Sequence, residues 1–249
     1  YCIALPHGCQ SLRGVYGWFA LTFYPRLRYN NPITGKADRP MFYQLTPEYR
    51  QITPDQFDQD RLTVGAIGIN SLEKVAHRFG FSPSVVEECL TERDRYRNSV
   101  DVYDEYTFCV VTIVDAADPT SHDDKVAFFF KRNLFLMVSL LDEDGSAKKL
   151  FMTAASRYKP EAATMEKVVS AVFESFIACD GDALAKMEFE INAMEEEIST
   201  GKMDRAFIAE VFERRKKLLI LRNYYEQLID IGEELQENEN DIFADGALR

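Results

Sequence analysis

The sequence predicts an α+β fold in which helices cover a β-sheet and a long helical hairpin follows the sheet. Two apolar runs, at residues 106–115 and 125–141, are typical of strands buried on both faces, with helices covering the sheet. Beyond residue 164 the apolar residues recur instead at steps of three and four, the spacing that lines one face of a helix. A polar break at residues 199–202 divides this helical region into two arms.

The composition allows a full hydrophobic core and argues against nucleic acid as a partner. Of the 249 residues, 46% are hydrophobic and 12% aromatic, and the formal net charge is −12. A protein surface that binds phosphates is basic, which this chain is not. Residues 161–249 carry 21 acidic and 10 basic residues, so the negative charge lies on the helical part. It either concentrates cations or only keeps long exposed helices soluble.

The cysteines and the apolar runs exclude further classes of protein. The five cysteines are odd in number and form no CxxC pair, so neither a disulfide framework nor a structural zinc site is indicated. No apolar run approaches the roughly 18 to 20 residues that cross a bilayer. We also expect no enzymatic activity, because no nucleophile, base and orienting group can be assembled.

The chain divides into three parts. Residues 1–40 are punctuated by glycine and proline and form a segment of unclear role. Residues 41–160 are predicted to form an α/β sandwich domain. Its expected elements are strands at 42–45 and 62–69, helices at 71–79 (with Ser71 as cap) and 84–90, and strands at 106–115 and 125–141, the last with a turn at 131–133.

Residues 161–249 are predicted to form a long-helix hairpin and a stalk. The first arm carries a coiled-coil-like seam of Leu184, Met187, Ile191, Met194 and Ile198. Asp204 can cap a second helix, along which the apolar stripe resumes at Phe207, Val211, Leu218, Leu221, Tyr225, Leu228 and Leu235. Such a helix is roughly 50 Å long at about 1.5 Å per residue, and with one narrow apolar stripe it must run along partners.

The order of these segments resembles the cytosolic part of CorA-type magnesium transporters. The resembling stretches are residues 72–83, 85–90, 102–108, 126–138, 190–198 and 218–228. Each motif alone has low specificity for the family, whereas their order and spacing together are fairly specific. The resemblance extends from residue 41 to the C-terminus, and residues 1–40 match nothing in the family.

The resemblance implies an αβα sandwich with a mixed sheet, a helical hairpin and a stalk helix that leads towards membrane helices absent from this chain. It also implies a homopentamer at the cytoplasmic face of the inner membrane, gated by magnesium bound between subunits. By position, the family's metal-binding acids fall on Glu87 and Glu88, on Glu174, and on Asp245. Glutamate replaces aspartate at more than one of these places, and the family's Gly-Met-Asn pore motif is absent.

We therefore expect a soluble cytosolic regulatory domain that senses Mg²⁺, or another divalent cation, through carboxylates shared between subunits. Two alternatives stay open. One is zinc transport within the same family, for which histidine or cysteine ligands are expected. The other is a coiled-coil-like scaffold whose hairpin binds partner helices and which binds no ion.

Overall fold

The computed structural model describes residues 40–91, 100–121, 124–201 and 204–244, which form a seven-stranded sheet and six α-helices. The strands are β1 (Met41–Gln44), β2 (Arg50–Ile52), β3 (Thr63–Gly68), β4 (Val100–Val102), β5 (Tyr106–Ile113), β6 (Asp124–Lys131) and β7 (Leu134–Leu141). The helices are α1 (Ile69–Phe79), α2 (Pro83–Thr91), α3 (Ser146–Ala155), α4 (Met165–Ile177), α5 (Asp180–Ser199) and α6 (Arg205–Glu237).

The sheet is mixed, as predicted. Its strand order is β2-β1-β3-β7-β6-β5-β4. The β3 and β7 strands pair in parallel, and the other neighbouring strands pair antiparallel. The long apolar run at residues 125–141 is two strands, β6 and β7, joined by the tight turn at Arg132 and Asn133.

Both faces of the sheet are buried, which confirms the predicted αβα sandwich. Because side chains alternate along a strand, Phe128 and Phe130 of β6 point to one face, and Ala127 and Phe129 point to the other. The first face is covered by α3, α4 and the C-terminal half of α6. The second face is covered by α1 and α2. The two helical layers therefore lie on opposite sides of a fully buried sheet.

The α1 helix shows where local patterns succeeded and where they failed. Leu72, Val75 and Ala76 are buried while Lys74 and His77 are exposed, as their spacing predicts. The prediction that Ser71 caps the helix is wrong, because α1 begins at Ile69 and Ser71 lies buried inside its first turn. The strands β2 and β4 and the helix α3 are not among the elements predicted from the sequence.

The hairpin is more divided than predicted. Its first arm consists of two helices, α4 and α5, separated at Ala178 and Cys179. The second arm, α6, is 33 residues long, and the side chain of Asp204 caps it by accepting a 2.8 Å hydrogen bond from the Phe207 N–H. The inner surfaces of α5 and α6 meet at Met187, Leu221 and Tyr224.

The chain returns to the sandwich after α6. Asn238 adopts a left-handed conformation, with φ of 50°, and ends the helix. The Asn240 amide then donates 2.9 Å hydrogen bonds to the Tyr103 carbonyl and to the Thr107 hydroxyl, and Phe243 is buried against the sheet. Within the described ranges no helix follows α6, so the stalk helix stays a prediction. Among the same residues, no helix has the length and apolarity that a membrane span needs.

Candidate metal sites

The acidic pair Glu87 and Glu88 lies on the outer surface of α2. Val85, Val86 and Cys89 anchor this helix to the sheet, so the two intervening glutamates are exposed. Their side chains are about 100° apart around the helix, which presents two carboxylates on neighbouring parts of one surface. Such oxygen ligands suit a hard divalent cation that keeps part of its water shell.

A further exposed carboxylate, on Asp101 of β4, lies on the α2 side of the sheet, because Asp101 pairs with Phe108, which is buried on that side. Burial raises the pKa of the Tyr103 phenol, and the phenol of Tyr106 and the negative charges of Asp101 and Glu88 raise it further. Both carboxylates are therefore close enough to Tyr103 to act on its ionisation. Asp101 is not among the ligands predicted from the sequence, because a lone exposed acid on a short edge strand has no distinguishing pattern.

Glu174 is exposed on α4, but it already has a cationic partner. Arg157 Nη1 donates a 2.9 Å hydrogen bond to Glu174 Oε2, and the two side chains are 52% and 63% exposed. Such exposed pairs are worth about 0.2–1 kcal/mol. A cation that binds Glu174 therefore competes with a weak ion pair.

The sandwich separates the predicted metal ligands within one copy of the chain. Glu87 and Glu88 lie on the α2 side of the sheet, whereas Glu174 lies on the α4 side. One chain therefore cannot place these acids around one ion. Asp245, the fourth predicted ligand, lies outside the described residues. The chain just before it runs along α4, where the Ala244 N–H donates a 2.9 Å hydrogen bond to Glu166.

Three other carboxylates come together at the start of α3. Oxygen atoms of Asp124, Asp142 and Asp144 lie within 4.8 Å of one another. Asp142 accepts from the N–H groups of Ala147 and Lys148 at 3.3 and 3.1 Å. These bonds satisfy the free N–H groups of the helix, so the Asp142 carboxylate serves as its cap.

Ser146 holds the other two aspartates of this group. Its N–H donates to Asp144 at 2.8 Å, and its hydroxyl donates to Asp124 at 2.7 Å. Hydrogen bonds from Ser146 lower the pKa of Asp144. The group as a whole is therefore accounted for by the hydrogen bonds at the start of α3, and none of its members is among the ligands predicted from the sequence.

The chain matches one family model and several solved structures. The model described as CorA-like Mg²⁺ transporter protein matches residues 70–249. A comparison with curated protein sequences finds no match.

The similar structures include both complete transporters and separate domains. The complete CorA magnesium transporter from Methanocaldococcus jannaschii superposes with a TM-score of 0.61 at 15% identity, covering 84% of this chain and 66% of that one. The soluble domain of the same CorA gives 0.60 at 15% identity, covering 84% of each chain. The ZntB cytoplasmic domain from Vibrio parahaemolyticus RIMD 2210633 gives 0.55 at 10% identity, covering 81% of this chain and 80% of that one. This chain thus spans about two thirds of the complete transporter, and at these identities the likeness establishes the shared fold.

Proposed function

Because this chain belongs to the CorA-like Mg²⁺ transporter family, as its order of segments predicted, we propose that it is the ion-sensing cytosolic domain of a divalent-cation transporter. The ion is Mg²⁺, bound by carboxylates of neighbouring copies in a homopentamer. Its occupancy controls how tightly the copies hold together and hence whether the transporter is closed.

The observation that carries the proposal is the placement of the acids on opposite sides of the sandwich. Glu87 and Glu88 are exposed on one side and Glu174 on the other, so two copies packed side by side bring the two groups face to face. Without an ion these carboxylates repel one another across the contact. A divalent cation offsets the repulsion, and its concentration thereby sets the geometry of the contact.

The ligand chemistry favours magnesium over zinc. Zinc prefers histidine and cysteine ligands. The predicted ligands are all carboxylates, and of the three cysteines among the described residues, Cys89 and Cys109 are buried in the sheet layers. Burial also raises the pKa of the Cys109 thiol, which disfavours the thiolate that binds metal.

The proposal is tested by titrating MgCl₂ into the chain while following its melting temperature and its mass by light scattering. Binding to the folded assembly alone raises stability as the free ion exceeds the dissociation constant. We expect both the melting temperature and the mass to rise, and the double variant Glu87→Gln/Glu88→Gln to abolish both responses. Glu73→Gln, at an exposed acid of α1, is the matched control and should respond as wild type does.

The same titration separates the alternatives. No response of the wild type at millimolar Mg²⁺ argues against an ion sensor and for a scaffold that binds no ion. A response to micromolar Zn²⁺ in the absence of any response to Mg²⁺ favours zinc.

A further inference from the structure

The exposed apolar surface of the described chain is concentrated on its helical hairpin. Of the eleven large apolar side chains that are exposed among the described residues, ten lie between Ile177 and Ile229. They are exposed although α5 and α6 already bury their inner surfaces against each other. Contiguous exposed apolar surface marks an interaction site. The hairpin is therefore a candidate docking surface.

The first half of α6 carries one such surface, which we call the basic apolar face. Ile208, Phe212 and Leu219 are 50%, 62% and 53% exposed and lie within about 40° of one another around the helix. The row is flanked by three exposed cations, Arg205, Arg215 and Lys216. The acids Glu210 and Glu213 lie about 180° and 120° away from the row. This face therefore combines apolar side chains with positive charge.

The outer side of α5 carries the second surface, which we call the acidic apolar face. Phe189 is 74% exposed, the highest value among the exposed apolar side chains of the described chain. It lies two residues from the buried Met187, and hence about 200° around the helix from the seam with α6. Ala185 lies one turn before Phe189 and Ala193 one turn after it, so the Phe189 ring has small side chains as neighbours along the helix. The charged side chains nearby are Asp182, Glu196 and Glu197, with Lys186 as the cation among them.

The two faces are opposite in charge and each carries an exposed phenylalanine, but they cannot meet within one copy. Phe189 points away from α6, because the opposite side of α5 is the one that packs on α6. Pairing two basic apolar faces would set cations against cations. A contact between the basic apolar face of one copy and the acidic apolar face of another brings opposite charges together and buries Phe189 against Phe212 and its neighbours.

We infer that the occupant of the hairpin surface is a second copy of this chain, docked head to tail, with its α6 basic apolar face on the α5 acidic apolar face of the first. Such a contact is heterologous, because it joins two different faces. In a pair, one copy still has an unoccupied α6 face and the other an unoccupied α5 face, and all faces are occupied only when the copies form a closed ring. The contact rests on the assembly proposed above and adds a second interface to it, but this interface requires no ion.

Two single variants test the arrangement. Phe212→Glu places an acid in the basic face, and Phe189→Lys places a cation in the acidic face. Each variant keeps one intact face, so in EDTA, where the ion-bridged interface is absent, each alone should lose all species larger than one copy. An equimolar mixture should form a pair of one copy of each, because the intact α5 face of the first variant fits the intact α6 face of the second. Restoration in the mixture also demonstrates that both variants are folded.

The measurement is sedimentation velocity over a range of micromolar protein concentrations, once in EDTA and once in MgCl₂. The control variant is Lys74→Glu on α1, which changes a charge on the sandwich and leaves the hairpin unchanged. A monomeric wild type in both buffers overturns the inference, and so does a mixture that stays monomeric. If assembly requires Mg²⁺ and both variants assemble as wild type does, the hairpin contact is overturned while the ion proposal stands. If Mg²⁺ changes nothing but both variants dissociate, the hairpin contact stands while the ion proposal fails.

Discussion

The hydroxyl of Tyr225 on α6 donates a 2.8 Å hydrogen bond to Asp180 Oδ2, at the point where α4 gives way to α5. Asp180 is only 8% exposed. Burial raises the pKa of its carboxyl, the hydrogen bond from Tyr225 opposes this shift, and the negative charge of Asp115 adds to it. The junction between α4 and α5 thus contains a buried carboxylate that accepts a hydrogen bond from α6.

Removing the Tyr225 hydroxyl should loosen this joint. We expect Tyr225→Phe to lower the free energy of unfolding by about 1.5 kcal/mol, the low end for hydrogen bonds to a charged acceptor, because Tyr225 itself is only half-buried. Urea denaturation measures the change. Tyr224→Phe is the matched control, since its hydroxyl lies 3.5 Å from the neutral carbonyl of Phe176. It should cost about 1 kcal/mol or less, and an equal or larger loss would contradict the role given to Tyr225.

The buried Asp180 should also make stability depend on pH. Its pKa in the folded chain is raised above the ordinary value of 3.8, so the folded state holds the proton to a higher pH than the unfolded state does. Stability from this group is therefore fully present below pH 3.8 and is lost as the pH rises through the folded pKa. As the pH rises from 3.8 through the folded pKa, we expect the free energy of unfolding of Asp180→Asn to increase relative to that of the wild type. Above the folded pKa, the difference between the two proteins should stay constant. Urea denaturation at a series of pH values checks this, and a difference that shrinks as the pH rises would be the wrong sign.

Gly65 should tolerate no side chain, because β3 passes close to a phenylalanine there. A Cβ at this position would lie 2.5 Å from Phe42 Cε1 and 2.9 Å from Leu136 Cδ1. Phe42 and Leu136 are both buried in the sheet layer, so neither ring nor methyl group can move aside freely. We expect Gly65→Ala to lower the free energy of unfolding by about 1–3 kcal/mol. Gly232→Ala, on the exposed side of α6 with open space around it, should instead raise it by about 1 kcal/mol. Thermal or urea denaturation of both variants compares a crowded strand with an open helix.

Freeing Glu174 from Arg157 should strengthen its binding of a divalent cation. We expect Arg157→Gln to shift the midpoint of the Mg²⁺ titration to lower concentration by up to about fivefold, because an exposed pair is worth at most about 1 kcal/mol. The control is Arg61→Gln, which breaks a similarly exposed pair, 3.0 Å long, with Asp58. An unchanged midpoint for Arg157→Gln would remove Glu174 from the ion site.

Much of the sandwich could be predicted because its strands are so strongly apolar. In β6 and β7, phenylalanine and aliphatic residues occupy consecutive positions, and only a strand covered on both faces keeps such a run out of water. The short edge strands β2 and β4 carry no such signal, since three residues of mixed burial are too few to form a pattern.

The length of α6 was predicted more accurately than the burial of its apolar stripe. Phe207, Leu221 and Leu235 are buried, but Val211 and Leu218 of the same stripe are 39% and 40% exposed. Periodicity identifies apolar faces without identifying what covers them. In the contact inferred above, the exposed stripe residues Val211 and Leu218 lie beside the basic apolar face of α6.

The sequence by itself determined the buried strands β6 and β7 and where several helices begin and end, because these properties depend on continuous apolar runs, on spacing and on local caps such as Asp204. It also carried the order of segments by which the family could be recognised. The tertiary structure alone decided that Glu87 and Glu88 lie across the sheet from Glu174, that Arg157 pairs with Glu174, and that Tyr225 reaches Asp180. These relationships depend on strand order and on contacts between distant residues, and a solvated carboxylate has the same local pattern whichever partner it meets.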